Sequence, residues 1–233
     1  MLKRDYIASE KLCKMIEILV FLGSIYLLNF SYTPVKDQLL LVTDHFPKLD
    51  ETKQNYVIKN LLKACYLCIL IVVTVLLFGP YLCYGAWPDA LLRSLAGMYV
   101  SNDIVGLYRV QNLKTSTRLH HYTTFLFLIM SWTVHFQESK VAKLLFLYTF
   151  ASALTFPVNA YLGLRLCYDE DTLIDLCGVA YYTYAIVCFL NWGLHLLLFD
   201  TSCVGYYALI LFVVYDDIVL LQWLRKQHSM KQD

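Results

Sequence analysis

Residues 61–84, LLKACYLCILIVVTVLLFGPYLCY, form an almost unbroken apolar run that decides the class of fold. A transmembrane helix needs about 20 mainly apolar residues, and this run meets that length. The composition agrees, because 59% of the 233 residues are hydrophobic and 16% are charged. Soluble domains are about half apolar and about a quarter charged. The sequence therefore predicts an integral membrane protein.

Six further windows approach the same length, so the sequence predicts an all-α fold, a polytopic transmembrane helix bundle with about seven spans. Together with the run above, the windows are 15–33, 61–84, 90–110, 119–136, 142–163, 174–198 and 203–224. The polar stretch 34–60 separates the first two windows and is predicted to be a long loop. The other connections are short, and no internal repeat is visible.

The distribution of Lys and Arg orients the spans, because cytoplasmic loops are enriched in these residues. With seven spans, one side of the membrane carries the loops 34–60 and 111–118, Arg165 and the C-terminal segment 225–233. That side is richer in positive charge than the other, which carries Lys3, Arg4, Lys11, Lys14, Lys140 and Lys143. We therefore expect a cytoplasmic C-terminus. The net charge of +1 gives no basic field that would favour a nucleic-acid partner.

The cysteines and histidines do not form a recognisable metal motif. Cys65 and Cys68 have CxxC spacing, but no second CxxC or CxxH completes four zinc ligands. Cysteine inside an apolar run behaves as a small hydrophobic residue. Di-iron membrane enzymes need several His-rich boxes, whereas this chain has six histidines and one adjacent pair. We expect no metal site.

Five of the windows carry polar residues at helical spacing, and polar groups in a bilayer are costly unless they face the bundle interior. These faces are Tyr99, Asn102, Asp103 and Gly106; His121, Thr124, Leu128, Ser131 and His135; Tyr148, Ser152, Thr155 and Asn159; Tyr181, Tyr184, Cys188, Asn191 and His195; and Tyr206, Tyr207, Asp216 and Asp217. They indicate either a shared pocket or a bundle held by hydrogen bonds between helices. The His and Asp residues favour the pocket, because ionisable groups in hydrocarbon are by default functional candidates.

The segment 118–132, RLHHYTTFLFLIMSW, places His120 and His121 at the mouth of the fourth window. Adjacent helical residues point about 100° apart, so the pair is not expected to chelate one metal ion. One interpretation is a general base or nucleophile with Asp103 as its acidic partner, since a short connector joins the third and fourth windows. The other is two interfacial histidines that contact headgroups or carbonyls. The residues alone leave both open.

The stretch 99–132, YVSNDIVGLYRVQNLKTSTRLHHYTTFLFLIMSW, resembles the TLC-domain family of membrane proteins, which includes ceramide synthases, translocation-associated membrane proteins and lipid-regulating relatives. The resemblance rests on Asp103 followed by the His120–His121 pair. It extends to Pro157, Asn159 and Arg165 within 150–166 and to the segment 218–226, IVLLQWLRK. It covers roughly residues 57–226.

The resemblance implies a six-helix TLC-type barrel plus one N-terminal helix, around a cavity for a membrane lipid or fatty acyl chain. The implied domains are 1–56, with the first span and the polar loop; 57–226, the TLC-like domain; and 227–233, a short cytoplasmic tail. Such proteins usually lie in the endoplasmic reticulum or another endomembrane.

The same resemblance suggests site residues. In ceramide synthases the paired histidines are essential for moving an acyl group from coenzyme A to a long-chain base, which makes His120, His121 and Asp103 candidate catalytic residues. The candidate lipid-cavity residues are Tyr99, Asn102, Thr124, Ser131, Ser152, Thr155, Asn159, Tyr184, Asn191 and His195.

Two departures from the family bear on function. Ceramide synthases continue into a stretch ending His-Asp-x-x-Asp, whereas residues 144–164 contain no acid, and Ala153 stands where non-synthase relatives often have Glu. We therefore expect a protein that binds, senses or regulates lipids, related to acyl chains or sphingolipids. The alternative is an acyl-CoA-dependent N-acyltransferase, with acyl-CoA as co-substrate and no other cofactor. A transporter or channel, suggested by Asp103, Asp216 and Asp217, is least favoured because no repeat or broken helix pair is apparent.

Overall fold

The computed structural model describes the backbone of residues 2–169 and 171–230, and the side chains of these ranges from residue 11 onward. Lys3 and Arg4, which entered the charge comparison, and residues 231–233 of the predicted tail lie outside the described side chains. Within the described ranges the chain is all-helical, without a strand. The α-helices are α1 Leu2–Phe30, α2 Tyr32–Val42, α3 Glu51–Cys83, α4 Asp89–Arg109, α5 Thr115–Ser131, α6 Lys140–Ala153, α7 Phe156–Leu164, α8 Ile174–Leu197 and α9 Val204–Ser229.

Four described stretches are long and apolar enough to cross a membrane, namely Lys11–Val42, Glu51–Cys83, Asp171–Leu197 and Thr201–Ser229. The helices α6 and α7 give a fifth if they cross together as one broken span, bent by 41°. The third and fourth predicted windows form α4 and α5. They fall outside this group because α4 carries several charged residues and α5 has only 17 residues.

The bend between α6 and α7 corrects the expectation that the chain has no broken helix. Pro157 lies in the first turn of α7, where its missing N–H is tolerated. A continuous helix would need the N–H that proline lacks, and the ring would clash with the carbonyl of the preceding turn, so the helix is interrupted just before this point. The polar face of the fifth window is therefore divided between two shorter helices.

The predicted loop 34–60 is largely helical. Val35 and Leu39 of α2 pack against a buried cluster that includes Phe46 and Ile58, so an apolar face is hidden in a polar-looking stretch. Asp50 begins α3 by accepting a hydrogen bond from the backbone N–H of Lys53, and this bond lowers the pKa of its carboxyl group. The proposed domain boundary at residue 56 thus falls inside α3.

Contacts between neighbouring helices close into a ring in the order α3, α4, α5, α9, α8, α7 and back to α3. The helices α1 and α2 pack outside this ring, against α4 and α3 respectively. Gly163 allows α7 to approach α3 closely, because a Cβ atom there would lie 2.8 Å from Leu61 Cγ. The ring encloses an interior that six helices share.

A buried arginine fastens one end of the bundle. Arg93 of α4 donates from Nε to the Ser131 carbonyl at 2.9 Å and from a terminal nitrogen to the Val134 carbonyl at 2.8 Å. The same guanidinium lies 3.7 Å from Glu17 of α1. These contacts hold α1 and the end of α5 onto α4, at the opposite end of α5 from His120 and His121.

Candidate functional site

Polar faces from several helices meet in one cavity of about 140 Å³ inside the ring. From the residues predicted to form a site, the cavity is lined by Tyr99, His120, His121, Ser152, Thr155, Asn159 and Tyr184. The structure adds Lys59, Asn60, Lys63, Thr117, Asp216 and Asp217 to the polar lining. The cavity lies at the end of the bundle where α4 ends and α5 begins.

Asp103 is the most enclosed ionisable group at this site, with no exposed surface. Its Oδ1 lies 2.9 Å from the Lys63 ammonium nitrogen and 3.0 Å from His121 Nδ1. Its Oδ2 accepts a hydrogen bond of 2.8 Å from the Thr124 hydroxyl. Both carboxylate oxygens are therefore engaged, which offsets the cost of burying the charge.

His121 contacts Asp103 but keeps unused hydrogen-bonding capacity. The side chain is 3% exposed. Its Nδ1 faces Asp103 Oδ1 at 3.0 Å, whereas Nε2 has no hydrogen-bond partner within the described residues. Buried polar atoms are normally paired, so an unpaired one calls for an explanation. Nε2 can accept a proton from a ligand or donate one to it.

His120 belongs to a second histidine–carboxylate contact. Its Nδ1 lies 3.6 Å from Asp216 Oδ2, and the other oxygen of Asp216 accepts a hydrogen bond of 3.1 Å from the Thr117 hydroxyl. The two imidazole rings stand nearly perpendicular, with centroids 5.5 Å apart. Each histidine of the pair therefore faces a carboxylate from a different helix.

A third carboxylate is held by phenols. Asp217 accepts hydrogen bonds from the hydroxyl groups of Tyr148 and Tyr184, the second at 2.8 Å. Tyr148 also lines an apolar groove on the outer surface, beside α8 and α9, whereas Asp217 lines the inner cavity. This pair of hydrogen bonds closes the wall between the cavity and that groove.

Two lysines at the site are absent from the residues predicted from the sequence. In the sequence Lys59 falls in the predicted loop and Lys63 in the apolar run, but their i, i+4 spacing places them on one face of α3. Both are buried and line the cavity. Charged residues at the end of an apolar run are usually interfacial, with their tips in the headgroup region. The i, i+4 spacing of Lys59 and Lys63 is the feature of the sequence from which their shared position could have been predicted.

Other predicted cavity residues lie elsewhere. Asn102 is buried but does not line the cavity. Thr124 and Ser131 line a separate, smaller cavity of about 40 Å³, although Thr124 reaches the site through Asp103. His195 lines the outer apolar groove, and Asn191 is buried without lining either the inner cavity or that groove.

Both ring nitrogens of His195 form hydrogen bonds with neighbouring residues. Its Nδ1 lies 2.8 Å from the Asn191 carbonyl, which can only accept, so this nitrogen donates and Nε2 accepts from the Tyr206 hydroxyl at 2.7 Å. The ring stacks on Tyr206 and borders the outer apolar groove. These contacts are those of a structural histidine.

Asp103, His120 and His121 are the group that could hold a metal ion, because each offers one ligand atom within 4.8 Å of the others. The expectation that adjacent histidines diverge too far to share a site is thus not met by the geometry. However, Lys63 and Thr124 already occupy both oxygens of Asp103. An ammonium group 2.9 Å from a carboxylate ligand also opposes a divalent cation by charge repulsion. The arrangement is better suited to a polar or anionic ligand.

Comparison of the chain with protein-family models, with curated proteins and with solved structures found no match.

Proposed function

We propose that this membrane protein binds a lipid, with the polar end of the lipid in the cavity at His120, His121 and Asp103. The observation that carries the proposal is His121, a buried imidazole whose Nδ1 faces Asp103 and whose Nε2 has no hydrogen-bond partner in the described chain. An incompletely bonded ionisable group facing a cavity inside apolar helices is a candidate binding group. A lipid is the ligand that a bilayer supplies.

The proposed architecture is a TLC-type barrel of six helices with one N-terminal helix, giving seven spans. The closed ring of contacts supports it, as does the position of the histidine pair at the cavity, with Asp103 in contact with His121; these three residues carry the family resemblance. In this arrangement α4 and α5 also cross the bilayer, with Arg93 and Asp103 of α4 buried inside the bundle. We propose an endoplasmic reticulum or other endomembrane location with the C-terminus in the cytoplasm.

Tyr99 offers a route for the lipid chain. It lines the polar cavity and also two small apolar cavities nearer the other end of the bundle. Leu128 and Phe146 line the first of these apolar cavities, and Leu70 and Phe150 line the second. A displaced Tyr99 ring would join these spaces. An acyl chain could then extend along the bundle while its polar end stays beside His121.

A second candidate function is acyl transfer from acyl-CoA, favoured by the contact between Asp103 and His121. A neutral imidazole nitrogen would attack the thioester carbon, a nitrogen–acyl bond would form, and the carbon–sulfur bond would break to release the coenzyme A thiolate. An amine acceptor would then attack the acyl carbon, the bond between this carbon and the imidazole nitrogen would break, and the proton lost by the amine would pass to the coenzyme A thiolate. Asp103 would stabilise the charge on the ring during the first step.

The test is mass spectrometry of the purified protein, intact and after digestion. A lipid that co-purifies non-covalently with the wild type and is lost from His121→Ala supports the binding function. An acyl adduct on His120 or His121 supports acyl transfer. A wild-type protein that carries neither, even after incubation with lipid vesicles and acyl-CoA, would contradict both.

A further inference from the structure

Lys59 is a buried basic side chain for which the described part of the chain provides no direct partner. Its side chain is 8% exposed and lines the cavity one helical turn before Lys63. Among the described residues, no acceptor lies within hydrogen-bonding or ion-pairing distance of its nitrogen, whereas Lys63 is paired with Asp103. A buried charge is normally paired, because desolvation strongly disfavours an isolated ion.

The packing around Lys59 holds its side chain in this position. A Cβ atom at Gly106 of α4 would lie 3.0 Å from Lys59 Cε and 3.7 Å from its Cγ. Glycine is unfavourable inside a helix relative to alanine. At Gly106 it leaves room for the aliphatic part of Lys59, which lies along α4 with the ammonium group at the cavity.

The carboxylates around the cavity do not neutralise Lys59 directly. Asp103 is engaged by Lys63 and Thr124, and Asp216 by Thr117 and His120. Asp217 accepts from two tyrosine hydroxyl groups. Lys59 is therefore a basic group at the cavity that no carboxylate of the described chain contacts directly, so a bound anion is the partner that would favour its charged form.

We infer that the cavity binds an oxyanion, the carboxylate of a fatty acid or the phosphate ester of a phospholipid, with Lys59 as its counter-ion. This inference rests on the proposed lipid-binding function and specifies the polar end of the ligand. The two lipids share the same chemistry, negatively charged oxygen on an apolar chain. His121 lines the same cavity and supplies a further donor through Nε2.

The experiment measures lipid binding to the detergent-purified full chain by native mass spectrometry. Palmitic acid is compared with hexadecanol, and dioleoyl phosphatidic acid with dioleoylglycerol, so that each pair differs at the polar end. Inorganic phosphate alone is a further probe. The variant is Lys59→Gln, and the matched control is Lys53→Gln, an exposed lysine on the same helix that is paired with Asp50 at the surface.

The wild type is expected to bind at least one acid about tenfold or more tightly than its uncharged counterpart, since charge-assisted hydrogen bonds are the strong ones. Lys59→Gln should lose that preference, and Lys53→Gln should keep it. Preference for palmitic acid or phosphatidic acid identifies the source of the anion. Displacement of either acid by inorganic phosphate shows that the oxyanion itself is recognised.

The outcomes separate this inference from the proposed function. Equal binding of charged and uncharged lipids by the wild type overturns the inference while lipid binding stands, and this comparison needs no variant to fold. Retention of the preference in Lys59→Gln also overturns it. Absence of all lipid binding contradicts the proposed function, and binding of phosphate without any lipid supports the anion site while contradicting a lipid ligand.

Discussion

Replacement of Lys63 by methionine should destabilise the protein strongly, because it leaves the carboxylate of Asp103 buried without its cation. At a separation of 2.9 Å the pair interacts by about 6 kcal/mol in a medium of effective dielectric constant about 20. The bond from Thr124 and the contact with His121 remain, so the loss should be smaller than that. Removing one partner of a buried pair costs about 3–5 kcal/mol.

The assay is thermal unfolding of the detergent-solubilised protein, followed by circular dichroism or by tryptophan fluorescence. For a chain of this size the expected loss corresponds to a fall in Tm on the order of 10 °C. The double variant Lys63→Met/Asp103→Leu removes both charges and should recover most of the loss. Lys53→Met, at an exposed pair on the same helix, should leave Tm unchanged. A Lys63→Met protein as stable as the wild type would refute the account of this ion pair.

Three further predictions concern binding, packing and topology. His121→Ala should lose co-purifying lipid while expression and membrane insertion persist. His135→Ala, at a side chain that is 73% exposed, should retain the lipid. Equal lipid content in the two variants would mean that the His120–His121 pair is structural. Gly163→Ala should destabilise the protein by about 1–3 kcal/mol because the new Cβ meets Leu61, whereas Gly193→Ala, with open space around it, should not; unfolding that is unchanged in Gly163→Ala would contradict the close packing of α3 and α7. Tags at the two termini should report opposite sides of the membrane in a protease-protection assay, and tags on one side would exclude an odd number of spans.

The convergence of Asp103 with the histidine pair was predictable because helical geometry and a short connector constrain it. Residues three and four apart share a helix face, so Ser152, Thr155 and Asn159 could be assigned to one surface. The connector between α4 and α5 is too short to separate Asp103 from His121 widely. These constraints act between residues that are close in the sequence, so they can be predicted from the sequence alone.

The failures of prediction arise where tertiary contacts decide the outcome. Lys59 resembles an interfacial lysine in the sequence, and only the packing of α4 at Gly106 reveals that it is enclosed. His195 shares a face with Tyr184, yet the Asn191 carbonyl and Tyr206 satisfy it on the other side of the Asp217 wall. Residues 34–60 resemble a loop because charged and polar residues interrupt their apolar ones, although apolar residues from both ends of this stretch, such as Leu39 and Ile58, pack into one buried cluster.

The central claim, that a lipid enters the ring of helices, is tested most directly by crosslinking with a photoactivatable lipid in membranes. The probe is a phosphatidic acid or a fatty acid with a diazirine in the chain, and the labelled peptides are identified by mass spectrometry. Labels on Tyr99 or Ser152, which line the cavity, are the expected result, and excess unlabelled lipid should suppress them. Labels confined to outward-facing residues such as Leu76 and Phe189, without suppression by unlabelled lipid, would contradict the claim.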